Sequence, residues 1–284
     1  MLNAVRMDLY RMFHTKSLYV IWIVMGVLIV FTTSLSKTDY EDTQIQAENH
    51  QFYQEQEENG ENAVMIGMQV ILPTDPGEKV TLSDILYANI QGKFVAVFLA
   101  IFAVLFSSAD MNSGYLKNIG GQINGRWKLI VSKIAALGIY VLLTFGVFLF
   151  IQAVSNQIIF GYLKLGITQE FLGYLGVQLL LHLALALICM ASAVILRSSV
   201  FSMILAVGLC MNLLASFYGA IDNLIHNLGF EDFRLLDHTV TGQLSMLTMR
   251  PSGADGFYAA GVAAAYILVC GILTGLIFTK RDIE

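Results

Sequence analysis

Charged residues cut the chain into six long uncharged runs. Ser17–Ser36 lies between Lys16 and Lys37, Phe94–Ala109 between Lys93 and Asp110, and Ile134–Leu163 between Lys133 and Lys164. Phe171–Leu196 follows Glu170, Ser198–Ile221 follows Arg197, and Gly256–Thr279 follows Asp255. A helix needs about 20 apolar residues to cross the hydrocarbon of a bilayer, since each adds only about 1.5 Å. The second run, at 16 residues, falls short. It reaches the required length by starting near Asn89, with Lys93 stretching its ammonium outward to water. The pattern predicts an all-α integral membrane protein of one domain. Its six transmembrane helices cover 17–36, 89–109, 131–154, 172–196, 199–221 and 257–279. Pro73, Pro76 and Pro251 all fall outside the uncharged runs, so proline interrupts no span. The fourth and fifth helices meet in a tight hairpin at Arg197, with a serine as N-cap of the fifth. The first run is longer than the roughly 7–15 apolar residues of a secretion signal and is expected to be a retained helix.

The segments between the runs have their own patterns. Over residues 1–16, Leu2, Val5, Leu9, Met12 and Phe13 recur at helical spacing while Arg6, Arg11, His14 and Lys16 face elsewhere. That predicts an amphipathic helix lying in the inner membrane interface, its cations among anionic headgroups. Residues 37–88 form an acidic outer segment rich in Glu and Gln, with a polar helix or two, a turn at Pro73, Pro76 and Gly77, and Ser83 capping a lead-in to the second span. Residues 222–256 form a second outer segment, in which Leu244 and Leu247 suggest a shallow or re-entrant helix. Gly271 and Gly275 make a GxxxG in the last span, which is either a close helix contact or the ordinary glycine usage of membrane helices.

Composition agrees with the pattern. Of 284 residues, 56% are hydrophobic and 13% charged, against about 25% charged in a typical soluble domain. Lipid must therefore replace water around much of the surface. Cys189, Cys210 and Cys270 each sit in an apolar run, odd in number and without metal-ligand spacing, so they are packing residues. The orientation follows from lysine and arginine. With the N-terminus inside, the inner segments hold Arg6, Arg11, Lys16, Lys117, Arg126, Lys128, Lys133, Arg197, Lys280 and Arg281. The longer outer segments hold Lys37, Lys79, Lys93, Lys164, Arg234 and Arg250. Both termini are then cytoplasmic. The acids of the first outer segment read as a solvated face; the sharper alternative is a face that meets a cationic substrate such as a basic peptide.

Candidate chemistry is sparse. Five scattered histidines and no ligand cluster argue against catalytic and metal residues in this chain. With no lysine, arginine or acid placed at mid-membrane, an ion-coupled transporter is disfavoured. The polar residues inside the runs are Gln152, Gln178, His182 and Asn212, which either bond helices together or line a path. Gly120 to Trp127 lacks the lysine and hydroxyl of a phosphate-binding loop. If ATP supplies the energy, another polypeptide binds it.

The stretch 110–133 carries four cations against one acid, and four glycines, Gly114, Gly120, Gly121 and Gly125. Phe106-Ser-Ser-Ala-Asp110-Met-Asn-Ser-Gly114, followed by Arg126 and Lys133, resembles the ABC-2-type permeases, the membrane subunits of bacterial ABC exporters. The layout is also similar: an amphipathic N-terminal helix, six spans, a large first outer loop and cytoplasmic ends. In size the chain is similar to permeases of bacteriocin, lantibiotic and antimicrobial-peptide export or immunity systems. Here the acid is Asp110 rather than the commoner Glu, and no proline precedes Arg126. The resemblance implies a non-catalytic subunit of the bacterial cytoplasmic membrane that exports a peptide, drug or lipid-like substrate by alternating access. It implies a cytoplasmic ATP-binding partner that carries ATP and magnesium, a second permease chain, and contact with lipid but not nucleic acid. Asp110, Gly114, Lys117, Arg126 and Lys128 would form the loop that couples to the ATPase. The alternatives are a stand-alone membrane sensor or immunity protein that binds a cationic peptide, and an ion-coupled secondary transporter.

Overall fold

The computed structural model describes residues 2–59, 67–112, 127–230 and 233–280. Among them the chain is all-helical, with no strand. The elements are α1 (Leu2–His14), α2 (Lys16–Glu41), α3 (Thr43–Asn59), α4 (Leu82–Gln91), α5 (Phe94–Asn112), α6 (Trp127–Phe160), α7 (Gln169–Leu196), α8 (Ser199–Cys210), α9 (Ala215–His226), a short 3-10 turn (Leu235–His238), α10 (Val240–Met246) and α11 (Gly253–Lys280). Four helices, α2, α6, α7 and α11, are long and apolar enough to cross a membrane, and α4 with α5 makes a fifth if that bent pair is one span. The protein is thus a multi-helix membrane protein. α7 lies at the centre, packed against α5, α8, α10 and α11.

Two of the sequence-predicted spans are interrupted. The second does not start at Asn89 as one rod: α4 and α5 meet at Gly92 and Lys93 with a bend of 52°. The fifth, expected over 199–221, ends as a helix at Cys210, turns through Met211–Leu214 and resumes as α9. At 12 residues, α8 is about 18 Å long and falls short of a full crossing. The remaining spans are longer than expected; α6 begins at Trp127 and runs to Phe160.

α4 shows why the upper end of the bundle is built as it is. Nine of its ten residues are buried, so its first N–H groups have no water to turn to and need partners in the protein. The loop after α6 supplies two of them: Leu82 N–H donates to the Lys164 carbonyl at 2.7 Å and Ser83 N–H to the Leu165 carbonyl at 3.2 Å. The third is met by a capping box. Asp84 N–H donates to Thr81 Oγ1 at 3.2 Å, and Thr81 N–H donates to Asp84 Oδ2 at 2.9 Å. The cap is therefore Thr81 and not Ser83, whose hydroxyl instead donates to the Gly166 carbonyl at 2.9 Å. Gly166 takes a left-handed φ of +65° there, where an added Cβ would collide with Ser83 and Thr81.

The lower end is held by different contacts. On α1 the stripe Ala4, Asp8 and Met12 is buried, and Ser132 Oγ of α6 donates to Asp8 Oδ2 at 2.5 Å. Of the predicted apolar stripe only Met12 belongs to this packed face: Leu2 and Phe13 are exposed, Val5 and Leu9 half-buried. Lys133 Nζ sits 5.2 Å above the Phe106 ring, joining the ends of α5 and α6. The GxxxG is a close contact. Gly275 of α11 lies against the Trp127 indole and Gly271 against Ile134, both on α6. The hairpin between α7 and α8 turns at Arg197 with φ 52°, and Ser198 Oγ accepts from Phe201 N–H at 3.4 Å.

Candidate functional site

The two helix breaks meet. Lys93, at the junction of α4 and α5, is 1% exposed, and its ammonium donates to Asn212 Oδ1 in the turn between α8 and α9. The expectation that Lys93 reaches outward to water is therefore wrong. The break at Gly92 turns its side chain into the bundle, toward Asn212. Lys93 is thus a cation buried within the helix bundle. Both residues occupy the left-handed region, Lys93 at φ 59° and Asn212 at φ 54°, which costs a non-glycine residue about 1–2 kcal/mol. Backbone held there at buried positions marks a place the surrounding structure over-determines.

The segment 67–72 runs over both breaks. Gly67 N–H donates to the Met211 carbonyl at 2.9 Å. The Gln69 carbonyl lies against Gly92 so closely that an added Cβ at Gly92 would clash with it. The Ile71 carbonyl is 2.9 Å from the Tyr53 hydroxyl, which is equally near Gln91 Oε1. Burial first, then Tyr87 and Asp84, raise the Tyr53 phenol well above its ordinary value, so it remains a donor.

Polar side chains at the end of α4 reach three neighbours. Asn89 Nδ2 donates to Gln152 Oε1 of α6 at 3.4 Å, and Gln152 Nε2 donates onward to Thr33 Oγ1 of α2 at 2.9 Å. Gln91 Nε2 donates to the Ser245 carbonyl of α10 at 3.3 Å. Lys93 reaches the α8–α9 turn. The four polar residues expected inside the spans are all buried, yet they do not share one path. Gln152 and Asn212 join opposite sides of the α4–α5 break. Gln178 of α7 donates to the Leu244 carbonyl at 3.4 Å. His182 Nδ1 lies 2.7 Å from the Gln178 carbonyl, which can only accept, so that nitrogen carries the proton. His182 Nε2 and the Asn156 amide are buried with no hydrogen-bond partner among the described residues.

Of the expected coupling residues, Gly114, Lys117 and Arg126 lie outside the described residues. Asp110 is in the last turn of α5, where the backbone alone is described. Lys128 is exposed in the first turn of α6, at the same end as the Lys133–Phe106 contact. Sequence reasoning missed Lys93, Asn89 and Gln91 as interior groups. Their signal was the alternation of polar residues through Asn89, Gln91 and Lys93 beside Gly92, just where the second run proved too short. Among the described residues no cluster of three metal-ligating side chains occurs. No protein-family model matches the chain, and a search of curated proteins returns no match.

Proposed function

We propose that this chain is the membrane-spanning permease subunit of an ATP-driven exporter, with six crossings and both ends in the cytoplasm. The observation that carries the proposal is the lower-end junction. Lys133 over Phe106 brings α5 and α6 together, and Ser132 with Asp8 ties α1 to the same point. Residues 113–126, with their cations Lys117 and Arg126, connect those two helices. A partner pressing on that connection acts directly on α5, and through α5 on the broken second span. ATP and magnesium reside on that partner, and a second permease chain completes the path. Asp110, Gly114, Lys117, Arg126 and Lys128 make the contact, and α1 lies in the inner interface with Leu2, Val5, Leu9 and Phe13 toward lipid. Co-expression with candidate ATPase subunits tests the proposal. Wild type is expected to co-purify with one of them and raise its ATP hydrolysis, and Asp110→Lys with Arg126→Glu to abolish both. A chain that binds no ATPase and stays folded alone overturns it.

A second reading, an ion-coupled transporter, gains support from one observation: Lys93 is an ionisable group inside the bundle. Collapse of the proton gradient with ATP maintained separates the two, since only the ion-coupled protein then stops transporting.

A further inference from the structure

An ammonium buried in a membrane-spanning bundle is normally matched by a carboxylate, because a lone buried charge is far costlier than a paired one. Among the described residues Lys93 has no such match. Among the described residues its side chain meets the Asn212 amide and lies near the Cys210 thiol, and no acid pairs with it. It does not sit at the end of a helix stack where water reaches in. Counted along α4 from Leu82 it lies about 16 Å below the upper end, and counted along α8 from Ser199, Asn212 lies about 20 Å above the lower end. Two left-handed residues face one another at this point, and the helices on both sides are interrupted. Broken helices at membrane depth are tolerated where they are buried in protein or line a cavity, and in transporters such breaks form substrate sites. Next to Asn212 the surface turns strongly apolar: Leu213 is 57% and Phe217 67% exposed, and Ile204 on α8 is 64% exposed.

We infer that Lys93, held by Asn212, is the recognition point for the phosphate group of an amphiphilic substrate whose apolar tail lies along Ile204, Leu213 and Phe217. The protein supplies the cation, and the substrate supplies the anion that no described residue places beside Lys93. The compact ammonium suits a single oxyanion, and the amide holds it in place when the site is empty. The description of this molecule as transported rests on the permease reading; its binding does not.

The test uses the full chain in dodecyl maltoside micelles, with thermal unfolding as readout, since a ligand of the folded state raises Tm with concentration. The probes are dodecyl phosphate, dodecyltrimethylammonium and inorganic phosphate. Wild type is expected to be stabilised by dodecyl phosphate alone. Lys93→Arg keeps the response, and Lys93→Met needs roughly tenfold more probe or more, as loss of a charge-assisted hydrogen bond implies. Asn212→Asp decides the matter if Lys93→Met fails to fold. It gives Lys93 a permanent carboxylate partner and is expected to fold well while losing the response to the same degree. A full response in Asn212→Asp, or an equal one to dodecyltrimethylammonium, overturns the site. An equal response to inorganic phosphate overturns the role of the tail. None of these measurements needs an ATPase. A chain that captures an ATPase but ignores dodecyl phosphate loses the site and keeps the permease reading; the opposite result loses the permease reading and keeps the site.

Discussion

Gly92 is the residue on which the crossing depends. A methyl group there would run into the Gln69 carbonyl, and backbone cannot swing away as a side-chain tip can. Gly92→Ala is expected to lower stability by about 1–3 kcal/mol, read as a fall in the detergent unfolding temperature, while Gly138→Ala, with open space at its Cβ, leaves it within about 0.5 kcal/mol. Tyr53 carries a pH dependence of definite sign. Its phenol is held protonated in the folded chain, whereas a tyrosine in the unfolded chain ionises near 10. Stability is therefore intact below pH about 10 and declines as pH rises from there toward the folded-state value. Tyr53→Phe is expected to flatten that alkaline decline in unfolding measured between pH 8 and 11. Much at this scale could be read ahead. Gln152, Gln178, His182 and Asn212 stood out as polar residues in apolar runs, and all four are buried. Lys93 was misjudged for a physical reason: a lysine at the edge of a run normally reaches water, and only tertiary packing turns it inward to Asn212.

Among the helices, the uncharged runs marked α2, α6, α7 and α11 correctly because length and hydropathy alone set a membrane helix. The breaks at Gly92–Lys93 and at Met211–Leu214 were not legible in the same way. Neither contains proline, and hydropathy counts residues without asking whether their backbone stays helical. The capping of α4 was half legible: Thr81 and Asp84 have the capping-box spacing, but the partners of Leu82 and Ser83 come from residues some 80 positions away in the chain. The GxxxG of α11 was ambiguous as a motif, and its neighbours resolve it. Gly275→Leu is expected to push Trp127 away from α11. Indole fluorescence would shift to longer wavelength and the unfolding temperature would fall, whereas Gly261→Leu, with open space around it, changes neither.

The whole molecule has an upper end built on the loop carbonyls of Lys164 and Leu165 and a lower end built on Asp8, Ser132 and the Phe106–Lys133 contact. Which end faces the cytoplasm follows from the lysine and arginine bias and is open to direct measurement. Cys189, Cys210 and Cys270 are buried and serve as a silent background. Glu48→Cys on α3 is expected to react with an impermeant maleimide added to intact cells, and Lys128→Cys only after permeabilisation. The reverse pattern would invert the topology and, with it, the side on which an ATPase could dock. The proposed coupling loop was read from its charge and glycine content, and Gly114, Lys117 and Arg126 lie outside the described residues.

The 52° bend between α4 and α5 has a mechanical consequence. An unbroken rod pushed at one end passes the push on as a displacement along its axis. Two half-rods joined at Gly92 and Lys93, and crossed there by a second divided helix at Asn212, act as a knuckle joint. A tilt of α5 at its lower end alters the angle at the joint and the spacing between ammonium and amide, while α4 keeps its fastenings above. Grip at the joint and posture at the base are thereby geared to one another, without any helix having to slide.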